Sequence, residues 1–192
     1  GGLPDIYIPM GQTAENVAEY CDISREAMDA FAYQSQARAT WALKEGVFNK
    51  DIIPIDLPGG GRFAQDESPR PSTTLEGLAG LKPVFRSDGR VTAGNACPLN
   101  DGAAACIIMS EERAKGLGLK PRARILGTSV SALNPEIMGL GPIEASRRLL
   151  KRLGLSISDI DFVEINEAFA AQVIPCAQAL GIDFDTLNVH GG

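Results

Sequence analysis

The alternation that begins after Pro121 limits the fold more than any other feature of the sequence. A small-residue and β-branched run at 123–130 is followed by a helical pattern: Pro142 stands at a favoured first position, Ile143, Leu149, Leu150 and Leu153 form an apolar stripe, and Gly154 closes it. Residues 161–165 (Asp161-Phe162-Val163-Glu164-Ile165) read as a short strand, Asn166 as an N-cap, 167–180 as an Ala-rich helix and 187–189 as the next extended piece. Strand, helix, strand, helix, strand calls for parallel pairing with helical crossovers, because a tight hairpin cannot join parallel strands. The chain is therefore read as α/β. Pro175 is expected to kink or break the second of these helices.

The first half is organised differently. Thr13 precedes Ala14, Val17, Ala18 and Cys21 at helical spacing, and Ser24 is a good N-cap for a longer helix carrying Ala27, Ala30, Phe31, Ala37 and Trp41, with Gly46 at its end. Pro54 demotes the apolar run 51–57 to an edge strand or connector, and 58–74 is dense in the residues of surface loops. A composition shift at 86–93 marks the nearest thing to a boundary. Beyond it, 103–109 is expected to be a buried strand and 111–116 a short helix.

Charge and cysteine usage narrow the functional classes. With 18 Lys+Arg against 24 Asp+Glu, the net charge of −6 argues against nucleic acid or an anionic membrane as partner. No window reaches the roughly 18–20 apolar residues of a membrane span, and the opening residues lack the pattern of a signal peptide. Cys21, Cys97, Cys106 and Cys176 are scattered, as expected of free thiols in a reducing, cytoplasmic setting, and a single histidine, His190, makes a metal site improbable. Cys106 and Cys176 are expected to be inert core thiols, leaving Cys97 as the one to test.

Two segments invite a chemical reading. Asn166-Glu167-Ala168-Phe169-Ala170 sets two polar side chains where a parallel strand hands over to a helix, the end at which ligands gather in open α/β sheets. A plain helix cap, with Glu167 favouring the positive end of the helix dipole, explains the same residues equally well. The run 92–105 is rich in small residues, which admit a close backbone or a slender ligand arm, or simply make a turn before a strand. Gly59-Gly60-Gly61-Arg62 lacks the rest of a phosphate-binding loop; Arg62 and Arg70 are the nearby cations able to meet a phosphate.

Taken in order, Met10-Gly11-Gln12-Thr13-Ala14-Glu15-Asn16, Ser24-Arg25-Glu26, 92–105, Met138-Gly139-Leu140-Gly141-Pro142, 166–170 and Asn188-Val189-His190-Gly191-Gly192 resemble the thiolase family, the acyltransferases that make or cleave 3-ketoacyl-CoA. The resemblance implies part of a five-layered αβαβα fold with a helical, loop-rich inserted domain. Residues 1–90 would be the latter part of that coenzyme A-covering loop domain, 91–120 a return to the N-terminal half, and 121–192 the first part of the C-terminal half.

The same resemblance implies ping-pong catalysis through a cysteine thioester, with coenzyme A and acyl-CoA as substrates and no tightly bound cofactor. It makes Asn166 the catalytic asparagine that completes an oxyanion hole through a held water. Met10, Phe85, Cys97, Met138 and Phe169 match positions along the acyl and pantetheine channel, and Arg70 a position near the nucleotide end. The family's nucleophile precedes the loop domain, and its Gly-His-Pro and Cys-x-Gly elements follow the Asn-x-x-Gly-Gly stretch, so none is among these 192 residues. His190 fills the variable position of that stretch. The chain is expected to be a portion of a longer homo-oligomeric enzyme, a homodimer or homotetramer, and inactive by itself; a non-catalytic acyl-CoA- or lipid-binding module or assembly subunit is the alternative.

Overall fold

The structure is a computed structural model and describes residues 6–192. Its frame is helical. Helix α1 (Met10–Tyr20) starts ahead of Thr13, whose hydroxyl donates to the Met10 carbonyl 2.6 Å away, so Thr13 lies inside the first turn and does not cap it. Helix α2 (Arg25–Lys44) begins as expected, the Ser24 hydroxyl accepting from the Ala27 N–H at 3.1 Å, and Gly46 follows its end at φ +69°.

Strands β1 (Ile55–Asp56) and β2 (Arg62–Phe63) pair antiparallel, with Ile55 opposite Phe63. The surface loop read over 58–74 thus contains a strand, and Gly60 and Gly61, both at positive φ, turn the hairpin. Helix α3 (Leu75–Ala79), helix α4 (Glu111–Gly116), a 3₁₀ turn (Pro135–Leu140), helix α5 (Gly141–Leu153) and helix α6 (Ala170–Leu180) follow. Gly154 and Gly181 end α5 and α6 in the left-handed conformation that a side chain would strain.

Four expectations are corrected. Residues 103–109 and 123–130 have no regular secondary structure and form no strand among the described residues, and Ile107, Ile108, Ile125 and Leu126 are exposed. A β-branched run becomes a strand only where a neighbour supplies its hydrogen bonds, and no described segment does so here. Cys106 is consequently exposed and is no core thiol. The Ala-rich helix starts at Ala170, with Phe169 at its cap, so Asn166 caps nothing, and α6 runs unbroken through Pro175.

Parallel pairing does survive locally, as a single bridge between Val163 and Leu187. The core forms where α1, α2 and α6 meet: Val17, Met28, Val173, Cys176, Val91 and Leu187 are almost wholly enclosed. Truncating Met28 to alanine there removes packing worth about 2–5 kcal/mol. Among the described residues, no helix is long and apolar enough to cross a membrane.

Candidate functional site

The small-residue run and the Asn166 segment meet directly. The Cys97 N–H donates to the Ala168 carbonyl at 3.0 Å, the Ala170 N–H donates to the Asn95 carbonyl at 3.0 Å, and Ala96 and Phe169 form an antiparallel bridge. Phe169 in turn meets Phe85 edge to face, with ring centroids 6.3 Å apart. Phe85 lies over the start of α1: its carbonyl accepts from Gln12 Nε2 at 2.7 Å, and its ring covers Gly11 so closely that a methyl there would overlap it. Glycine is required at this position by proximity. Met10 stands beside it, about half exposed.

Two buried polar groups hold this arrangement. The Asn95 side chain accepts from the Thr92 N–H (2.9 Å) and donates to Asp29 Oδ1 (2.9 Å) and the Arg90 carbonyl (3.1 Å), fixing the turn from which Cys97 emerges. Asp29 also binds Arg25, which donates onward to the Leu78 and Leu81 carbonyls. The Glu15 carboxylate receives the Arg90 and Val91 N–H groups and so ties α1 to the same turn. Arg86 spans the exposed side, donating to Gln12 Oε1 at 3.0 Å and also to Asn16 Oδ1.

The turn bearing Met138 crosses α1 and α6. Gly139 fits against Gln172 and Val17, the Gly139 carbonyl accepts from Cys176 Sγ at 3.3 Å, and Asn16 Nδ2 donates to Glu136 O at 2.9 Å. Met138 itself is partly exposed. Burial pushes the Cys176 thiol up to about 11, so it stays protonated and unreactive, as the sequence suggested. Cys97 is the exposed thiol at this junction.

Asn166 lies on the connection between the 161–165 segment and α6. Its side chain is exposed and hydrogen-bonds to no described residue. Glu167 is largely buried, which raises its carboxyl above the ordinary carboxylate range, although hydrogen bonds from Asn188 and Ser35 work the other way. Arg70 stands apart: its backbone N–H donates to Gln36 Oε1 at 2.7 Å on α2, and its guanidinium makes no polar contact with a described residue. Arg62 faces Asp56 across the hairpin at 3.9 Å. His190 stacks on Trp41 (centroids 6.0 Å, planes 6° apart) with Phe48 edge-on at 5.8 Å, an aromatic seat on the α2 side of the molecule.

Asn188, which opens the Asn-x-x-Gly-Gly stretch, was assigned no role from the sequence. It is buried, sits at φ +46° and bonds both sides of Asn166. Asparagine ahead of a Gly-Gly pair was the available signal, since few other side chains tolerate a left-handed backbone.

The two halves of the chain have separate counterparts among known proteins. Residues 2–112 match the thiolase N-terminal domain and residues 119–192 the thiolase C-terminal domain. An acetyl-CoA acetyltransferase of Chromobacterium violaceum is 48% identical over 100% of this chain and 50% of its own length. A crystal structure of human mitochondrial 3-ketoacyl-CoA thiolase in complex with CoA superposes with a TM-score of 0.93 at 47% identity, covering 97% of this chain and 47% of that one. The dimeric peroxisomal thiolase of Saccharomyces cerevisiae gives 0.91 at 42% identity, covering 97% and 48%. The chain spans about half the length of the curated relatives it matches. With both halves matched in order and solved thiolases superposing across both, the chain belongs to the thiolase family and carries part of its αβαβα fold.

Proposed function

We propose that this chain supplies the acyl-CoA-facing part of a thiolase-type acyltransferase, with Asn166 in the oxyanion site and Met10, Phe85, Cys97, Met138 and Phe169 along the acyl and pantetheine channel. The observation that carries the reading is the junction of three distant segments: Phe85 on Phe169, Ala96 paired with Phe169, and the Cys97 N–H on the Ala168 carbonyl. A channel for a slender thioester needs small residues and aromatic walls beside a polar side chain with bonding capacity to spare, and Asn166 has that capacity.

In the reaction, a cysteine thiolate from outside these residues attacks the 3-keto carbon of 3-ketoacyl-CoA. The Cα–Cβ bond breaks, acetyl-CoA leaves as its enolate and takes a proton, and the thiolate of a second coenzyme A displaces the acyl group from the cysteine sulfur. Asn166, through a held water, stabilises negative charge developing on a thioester oxygen. Arg70, on the exposed loop, suits the anionic nucleotide end of coenzyme A. Coenzyme A enters as substrate, with no tightly bound cofactor. Residues 1–90 belong to the coenzyme A-covering domain, 91–120 to the N-terminal half and 121–192 to the C-terminal half of a cytoplasmic homodimer or homotetramer; the dimeric yeast relative supports the oligomer, and the free thiols a reducing compartment.

Thiolysis of acetoacetyl-CoA by the protein expressed from its own gene tests the reading. Asn166→Ala is expected to lower kcat by about 10²–10³. Unchanged turnover in that variant refutes the role of Asn166, and saturable coenzyme A binding by a wild-type protein without turnover favours a non-catalytic binding module.

A further inference from the structure

We propose that Asn188 is a positioning residue for Asn166, clasping the residues on either side of it so that the exposed Asn166 side chain is presented from a fixed backbone. This rests on the catalytic reading of Asn166 given above. Val163 and Leu187 make the one parallel bridge among the described residues: the Val163 N–H donates to the Thr186 carbonyl at 3.0 Å and the Asn188 N–H to the Val163 carbonyl at 2.9 Å. The pairing would stop there, because the main chain turns away at Asn188 in the left-handed region.

The Asn188 side chain takes over. Its Oδ1 accepts from the Ile165 N–H at 2.8 Å, and its Nδ2 donates to the Ile165 carbonyl at 2.8 Å and to Glu167 Oε1 at 2.7 Å. A carboxamide has the same donor and acceptor pair as a peptide unit, so it extends the ladder by one residue where the backbone has left it. No other residue of that length does this: aspartate has no donor, and leucine or serine cannot bridge both groups. Asn188 is 1% exposed, so each missing bond would leave a buried polar group unpaired.

The clasp is anchored from α2. Arg38 on that helix donates to the Leu187 and Phe184 carbonyls at 2.6 and 2.9 Å, steadying the chain that leads into Asn188. Gly191 lies against Ser35 and Ala39 where no side chain fits. Asn166 is therefore held through Ile165 and Glu167, and makes no hydrogen bond to a described residue that would set its position.

Asn188→Gly keeps the left-handed backbone and removes the clasp. In the protein expressed from its own gene, it is expected to lower kcat for thiolysis about 10- to 100-fold, to leave KM for coenzyme A within about twofold, and to add nothing in an Asn166→Ala background. An unchanged kcat, or an equal loss in both backgrounds, overturns the proposal. If Asn188→Gly fails to fold, Glu167→Ala, which removes one arm and leaves both bonds to Ile165, is put through the same cycle: a loss of kcat that vanishes in the Asn166→Ala background supports the clasp, and an unchanged kcat or an equal loss overturns it. If Asn166→Ala leaves turnover intact, the functional reading fails and the clasp is judged separately by hydrogen exchange at the Ile165 amide: faster exchange in Asn188→Gly supports it, and unchanged exchange overturns it.

Discussion

Glu15 offers the sharpest test of how the site is held. Its carboxylate sits inside α1 with 3% of the residue exposed, and no cationic side chain among the described residues pairs with it. Both oxygens receive the Arg90 N–H (3.0 and 2.9 Å), and Oε1 also receives the Val91 N–H (2.9 Å). Gly89 comes so close that a methyl on it would overlap Oε1. Glu15→Ala strands two buried donors at about 1–3 kcal/mol each, so about 2–6 kcal/mol in all. Glu15→Gln keeps the shape and one acceptor oxygen but turns an NH₂ toward one of the donors, which costs about 1–3 kcal/mol. With a urea slope of roughly 2 kcal/mol/M, the midpoint falls by about 1–3 M for alanine and 0.5–1.5 M for glutamine. Urea unfolding followed by circular dichroism measures both. An alanine variant within about 1 kcal/mol of wild type, or a glutamine variant as damaged as alanine, refutes the account. The turn anchored by Glu15 leads through Asn95 to Cys97, so both variants should also loosen the site.

Two further outcomes follow from particular contacts. Gly11→Ala drives a methyl into the Phe85 ring; overpacking of this kind costs about 1–3 kcal/mol, or a fall in Tm of roughly 2–12 °C. A Tm equal to wild type would show that the ring yields freely and is not a fixed wall. Burial raises the Glu167 carboxyl above its unfolded value, so the folded state holds that proton more tightly. Its contribution to stability is full below about pH 4.3 and is lost as pH rises through the raised folded value. Glu167→Gln, uncharged throughout, is expected to gain on wild type as pH rises above about 4.3; a difference in urea midpoint that does not change with pH contradicts this.

Local signals and their outcomes separate cleanly along the chain. Ser24, Gly46 and Gly154 marked helix ends that formed as read, because a cap bond or a left-handed turn is settled within a few residues, and Pro142 stands one position inside the start of its helix. The run 103–109 carried an equally clear strand pattern and formed none, because a strand is completed only by a partner elsewhere in the sheet. Cys106 went wrong for the same reason, and Cys176, packed by its own helix and the Gly139 turn, did not.

For the site, the sequence by itself determined the family and the order of its motifs, since the small residues of 92–105 and the 166–170 segment are recognisable wherever they lie in space. Only the tertiary structure decided that Asn166 caps no helix, that Phe85 closes on Phe169 across the start of α1, and that Asn188 clasps the residues flanking Asn166. These depend on bonds between residues more than twenty positions apart, where hydrogen-bond geometry and burial are set by packing and leave no local pattern in the sequence.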